Sequence, residues 1–151
     1  SRLFQKIREQ EGLAYTVYAD LGLYSDTGCL SVYAGTSLDS LNRVIEYTLR
    51  EFTDLKENAV PEKEIRRAKD QLKGSMMLSL ESTGSRMTNL ARQETYHGRI
   101  RTLDEINDEI EAVTRRDIQA LANDWFHTDR FAMAVLGNLK GLSIERASLA
   151  C

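Results

Sequence analysis

The sequence predicts an α+β fold: a two-layer sandwich in which helices pack on a mainly antiparallel sheet. Two features near the N-terminus and one along the rest predict it. Apolar and polar residues alternate after Leu13, and a turn tetrapeptide, Ser25-Asp26-Thr27-Gly28, is followed by a second strand-like run. From Leu41 onward the apolar residues recur at helical spacing through most of the chain.

The first element is the end of a helix. Leu3, Phe4 and Ile7 give it a buried stripe, and Gly12 can take the positive φ that closes it. Leu13, Tyr15, Val17 and Ala19 then alternate with Ala14, Thr16 and Tyr18, which is the period of a strand. A hairpin is expected, joining residues 13–24 to 29–35. Ser37 is placed to cap the next helix, whose face is Leu41, Val44, Ile45, Thr48, Phe52 and Leu55.

Pro61 opens another helix, where its missing N–H costs least. Its stripe is Ile65, Ala68, Leu72, Met76 and Leu80, and Gly74 weakens it without ending it. A break near Ser82-Thr83-Gly84 precedes a helix carrying Met87, Leu90, Ala91 and Tyr96. Thr102 and Glu105 spell a capping box before Leu103, Ile106 and Ile110. Thr114 and Asp117 repeat the pattern before Ile118, Leu121, Ala122 and Trp125. Phe131 to Leu136 carries no charge and is expected as a last strand. Residues 1–137 form the domain, and 138–151 form a tail for which the sequence offers no partner.

Composition excludes several classes of function. The 151 residues are 28% charged and 42% hydrophobic, a balance that supports a packed core rather than disorder. A formal net charge of −3 gives no field for nucleic acid, and no basic run with interleaved aromatics appears. No apolar run approaches the roughly 20 residues of a membrane helix. Cys29 and Cys151 are too few for a disulfide framework, so a reduced, cytoplasmic setting is the expectation. Asp26-Thr27-Gly28 matches the tripeptide of aspartic proteases, but that chemistry needs paired carboxylates, and turn chemistry alone supplies these residues here.

Arg8 and Tyr15 are the candidate site residues. A guanidinium at a helix end and a phenol at the start of the adjoining strand could face one ligand. On spacing alone the plainer reading leads: Arg8 is a helix C-terminal cation favoured by the macrodipole, and Tyr15 a half-buried strand aromatic.

The words around them carry more. SRLFQKIREQEGLAY, YAGTSLDSLNRVIEYTLREF, VPEKEIRRAKDQLKGSMMLSLESTGSRMTNLARQETYHGR and TLDEINDEIEAVTRRDIQALANDWF occur here in this order. Together they resemble the C-terminal half of pitrilysin/insulinase-type, processing-peptidase-like zinc metallopeptidases, over residues 1 to about 137. The resemblance implies a sandwich of the processing-peptidase type, incomplete in this chain. A strand and a covering helix would precede the first of these words. The sheet edge and apolar patch left open would favour self-association or pairing with the rest of the parent.

In such enzymes the N-terminal half holds zinc through an H-x-x-E-H helix, while the C-terminal half contributes an Arg and a Tyr. The resemblance implies that Arg8 holds a backbone carbonyl of a peptide substrate and that Tyr15 is catalytic, donating to the scissile carbonyl oxygen. The only histidines, His97 and His127, begin no such motif and are expected at helix ends. No metal is expected in this chain, with zinc in the parent enzyme and inactivity in isolation. The expected partners are peptide substrate and an N-terminal zinc-binding half or partner subunit. The alternative is a non-catalytic scaffold or peptide-presenting subunit of a processing-peptidase-like complex.

Overall fold

In the computed structural model, which describes residues 1–139 and 141–151, the chain divides into two compact units. One comprises Ser1–Asn58 with Ala120–Cys151, the other Ala59–Gln119.

The first unit holds the hairpin. A π-wound N-terminal helix spans Phe4–Gln10, and Glu11 N–H closes it on the Lys6 carbonyl at 3.1 Å. Strands β1 (Ala14–Leu23) and β2 (Gly28–Thr36) pair antiparallel through the expected turn, where Tyr24 N–H meets the Thr27 carbonyl at 3.0 Å. Asp26 and Thr27 therefore serve the turn. Helix α1 (Leu41–Glu57) follows a short 3-10 turn. Ser37 heads that turn in extended conformation, but its hydroxyl bonds Ser40 Oγ at 3.1 Å and caps no helix N–H.

Helices pack on one face of the hairpin. Leu3 and Ile7 from the N-terminal helix, Leu13, Ala14 and Val17 from the start of β1, and Val44 from α1 form the buried cluster. Ile7 is wholly inaccessible. Arg2 ties the N-terminal helix to α1 through Asp54 at 2.6 Å. The core face of the hairpin is covered only at this end. Towards the turn, Leu21 and Leu23 of β1 and Leu30 of β2 are exposed.

Two further expectations are overturned in this unit. Phe131–Leu136 is not a strand: among the described residues the sheet contains only β1 and β2. A strand exists by pairing, and this segment borders no open edge it bonds. Phe131 packs instead near Phe52, whose ring stacks on Phe126 at 4.2 Å. The tail, for its part, has partners. Lys56 Nζ donates to the Cys151 carbonyl at 2.8 Å and to the Phe126 carbonyl at 3.0 Å, and Arg146 donates to the Asp129 carbonyl at 3.0 Å. Cys151 is partly buried there, which raises its thiol pKa against the opposing pull of Lys56.

The second unit is helical. It contains α2 (Glu62–Ser79), α3 (Thr83–His97), α4 (Leu103–Ala112) and the first turn of α5 (Arg115–Trp125). Its start signals behave as the sequence predicts. Thr102 and Glu105 make the reciprocal capping box, and Thr114 shares its N–H and hydroxyl with Asp117 at 2.7 Å each. Gly98 ends α3 in the left-handed region at φ +64°. Lys69 donates to the Glu111 carbonyl at 2.7 Å and Lys73 pairs with the Glu111 carboxylate, joining α2 to the end of α4.

The stripes, by contrast, are mostly uncovered. Ile65 is buried, but Leu72, Met87, Leu90 and Tyr96 are exposed. Among the described residues, no helix is long and apolar enough to cross a membrane.

Candidate functional site

The segment from Arg8 to Tyr15 joins the N-terminal helix to β1. Gly12 takes φ +62°, a conformation strained for any residue with a Cβ. Leu13 N–H then bonds the Ile7 carbonyl at 2.8 Å, and the Leu13 side chain enters the core. The Leu13 carbonyl accepts from the Thr36 hydroxyl of the partner strand.

Tyr15 stands at the one irregular step in the hairpin. Ala14 lies opposite Thr36 and Thr16 opposite Gly35, which leaves Tyr15 as the extra residue of a β-bulge. Strict alternation fails there. Ala14 and Val17 are both buried, and between them Tyr15 is turned out to 90% exposure. It is not a half-buried strand aromatic. Among the described residues, no hydrogen bond occupies its hydroxyl.

Arg8 lies in the last turn of the N-terminal helix and is exposed. Its guanidinium sits 4.9 Å from the centre of the Phe4 ring, a contact that orients the side chain without neutralising it. The structure thus holds a cation and a phenol at the two ends of one short, pinned segment, both open to solvent.

Behind the segment lies a charged cluster that the sequence did not reveal. Glu11 pairs with Arg43 of α1 at 2.8 Å and with Lys6 at 3.5 Å. Lys6, Arg43 and Arg50 all lie within about 6 Å of the Tyr47 ring centre. Hydrogen bonding to Tyr47, foremost, and the nearby Lys6 and Arg43 cations hold the Glu11 carboxyl below the usual carboxylate range. No spacing rule links residues 11 and 43. The bulge was more legible, because Leu13 and Ala14 are adjacent apolar residues in an otherwise alternating run.

His97 and His127 are exposed, one ending α3 and the other just beyond α5. Among the described residues, no group of three or more His, Cys, Asp or Glu side chains is assembled as a metal site.

Comparison with known proteins places these elements in a family. Residues 1–72 match the family model of the peptidase M16 inactive domain. The chain is 41% identical over 136 residues to a Bacillus subtilis protein described as the uncharacterized zinc protease YmxG, covering 90% of this chain and 33% of that protein. It is 38% identical over 120 residues to the mitochondrial-processing peptidase subunit beta of Neurospora crassa, covering 79% of this chain and 25% of that subunit. A conserved protein from Enterococcus faecalis superposes with a TM-score of 0.70 at 29% identity, over 82% of this chain and 28% of that one. A chain of complex III2 from Candida albicans shares the fold, with a TM-score of 0.72 at 21% identity, over 82% of this chain and 30% of its own. The chain spans about a third of the length of the first curated relatives it matches. These matches support the chain as a C-terminal fragment of the M16, or pitrilysin/insulinase-type, peptidases.

Proposed function

We propose that this chain is the substrate-binding C-terminal portion of a zinc endopeptidase, completing a peptide-cleavage chamber whose zinc site lies on an N-terminal half. Relatives named zinc proteases and processing-peptidase subunits support that class. The observation that carries the residue assignment is the bulge, which turns Tyr15 out of the sheet with its hydroxyl unclaimed. Bulges recur beside active sites because they re-aim a side chain in this way.

Tyr15 donates a hydrogen bond to the scissile carbonyl oxygen as negative charge builds on it. A donor already in place needs no reorganisation at the moment of reaction, which makes such contacts effective. Arg8 donates to a backbone carbonyl of the bound peptide and fixes its register. Zinc, when bound by the other half, supplies Lewis-acid chemistry and an activated water. The partner is that N-terminal half, or a subunit that carries it.

The test is hydrolysis of a quenched-fluorescent peptide by this chain mixed with a zinc-loaded N-terminal half, with each component also run alone. Activity in the mixture only, with Tyr15→Phe lowering kcat by about 10²-fold, is the expected result. Association without activity would instead assign the chain to a peptide-presenting scaffold.

A further inference from the structure

Arg8 and Tyr15 are joined by the turn Glu11-Gly12-Leu13, so their relative placement is set by whatever holds that turn. Two of its ties are local: Glu11 N–H to the Lys6 carbonyl at 3.1 Å and Leu13 N–H to the Ile7 carbonyl at 2.8 Å. They fix the turn to its own helix, while the Leu13 side chain packs into the core cluster that includes Val44 of α1.

Two ties reach outward. Thr36 bonds the Leu13 carbonyl from β2, and Arg43 of α1 bonds the Glu11 carboxylate at 2.8 Å across 32 positions of sequence. The Glu11 carboxylate thus couples the turn to α1, through the ion pair with Arg43 and through hydrogen bonding with Tyr47 of the same helix. Val44, the next residue of α1, is buried in the core beneath it, so the base of the clamp is fixed. Lys6 at 3.5 Å and the Tyr47 ring complete the surroundings of the carboxylate.

We propose that Glu11 and Arg43 are a positioning pair, clamping the turn to α1 so that the Arg8 guanidinium and the Tyr15 hydroxyl face one substrate together. The pair touches neither substrate nor reacting atoms and acts through Tyr15. This rests on the assignment of Arg8 and Tyr15 to the substrate chamber. Geometry of this kind matters to rate, because small misplacements of a positioned group cost large factors.

The test is a double-mutant cycle in the parent peptidase between Glu11→Gln and Tyr15→Phe, with Arg43→Gln alongside. Glu11→Gln and Arg43→Gln each lower kcat by about tenfold with KM little changed, as expected for a lost transition-state contact. Glu11→Gln adds no further loss in the Tyr15→Phe background, because the contact through which it acts is already gone. Equal losses in both backgrounds would mean general damage and would overturn the pairing, as would wild-type kcat in Glu11→Gln. If Tyr15→Phe leaves kcat untouched, the chamber assignment fails instead. The pairing is then decided by fluorine NMR of protein labelled with 3-fluorotyrosine. Glu11→Gln shifts or broadens the Tyr15 resonance while Tyr18 and Tyr33 stay in place, and an unmoved Tyr15 signal would refute the clamp.

Discussion

The hydroxyl of Thr36 donates to the carbonyl of Leu13, across the step of the hairpin where β1 carries one residue more than β2. The bond satisfies a carbonyl at the bulge that ladder pairing does not serve in the regular way. Thr36→Val keeps the shape and removes the donor. The expected cost is about 1 kcal/mol in urea unfolding. Amide exchange of Ala14 and Tyr15 should also quicken, whereas the amides of Val17 to Asp20 keep their protection. Unchanged exchange at the bulge would show that β2 does not hold it.

Tyr15 and Arg8 should be nearly silent in stability. Tyr15→Phe alters an exposed hydroxyl and is expected to shift unfolding by no more than about 0.5 kcal/mol. Arg8→Ala forfeits an exposed contact with the Phe4 ring worth about 0.5–1 kcal/mol. Thermal melts check both. A loss of several kcal/mol in either would make it a structural residue.

Ile7 is the opposite case, being wholly inaccessible within the cluster of Leu3, Leu13, Ala14, Val17 and Val44. Ile7→Ala is expected to cost about 2–5 kcal/mol, from lost transfer energy and the cavity left behind. Denaturant unfolding of the first unit is the measurement, and a cost below about 1 kcal/mol would mean that this cluster is not the core.

The helix starts of the second unit should respond to acid. The Thr114 hydroxyl and backbone N–H depress the Asp117 pKa, and the Thr102 backbone with Arg99 depresses that of Glu105. Each carboxylate is thus more readily ionised folded than unfolded. Its stabilising contribution is present above the ordinary carboxylate range and is lost as pH falls through the depressed folded value. NMR titration of the two side-chain carboxyls should give midpoints below those of unfolded peptides, with α4 and α5 fraying first at their N-termini. Midpoints at or above the peptide values would contradict the caps.

The bare end of the hairpin predicts association. Leu21, Leu23 and Leu30 lie exposed on the face that packs against helices at the other end. In isolation this chain is expected to sediment as an oligomer, and Leu21→Lys with Leu23→Lys to return it towards monomer. A monomeric wild-type chain at tens of micromolar would refute this.

How much of this was legible in the sequence depended on the range of the interaction. Local chemistry read true: the Thr102–Glu105 box, the helix end at His97 and the turn at Ser25–Gly28 are each decided within a few residues. Phe131–Leu136 misled because an apolar run specifies no hydrogen-bonding partner: Phe131 packs near the Phe52 ring, while Met133 and Leu136 are exposed. Arg8 and Tyr15 stood out through the words around them. Glu11 and Arg43 could not, since their meeting is a consequence of how α1 crosses the hairpin.

The π-winding of Phe4–Gln10 gives the N-terminal helix one residue more per turn of hydrogen bonding than an α-helix would have. Such a turn is, in effect, an insertion that the fold has absorbed. Shortening it by one residue restores ordinary winding, yet it also rotates everything upstream relative to Gly12. Leu3 and Phe4 would leave their places against the core, and the guanidinium beside Phe4 would lose its bearing on the phenol. In this segment the better helix would be the worse support for the proposed substrate contacts, so selection for stability alone would be expected to erase the winding.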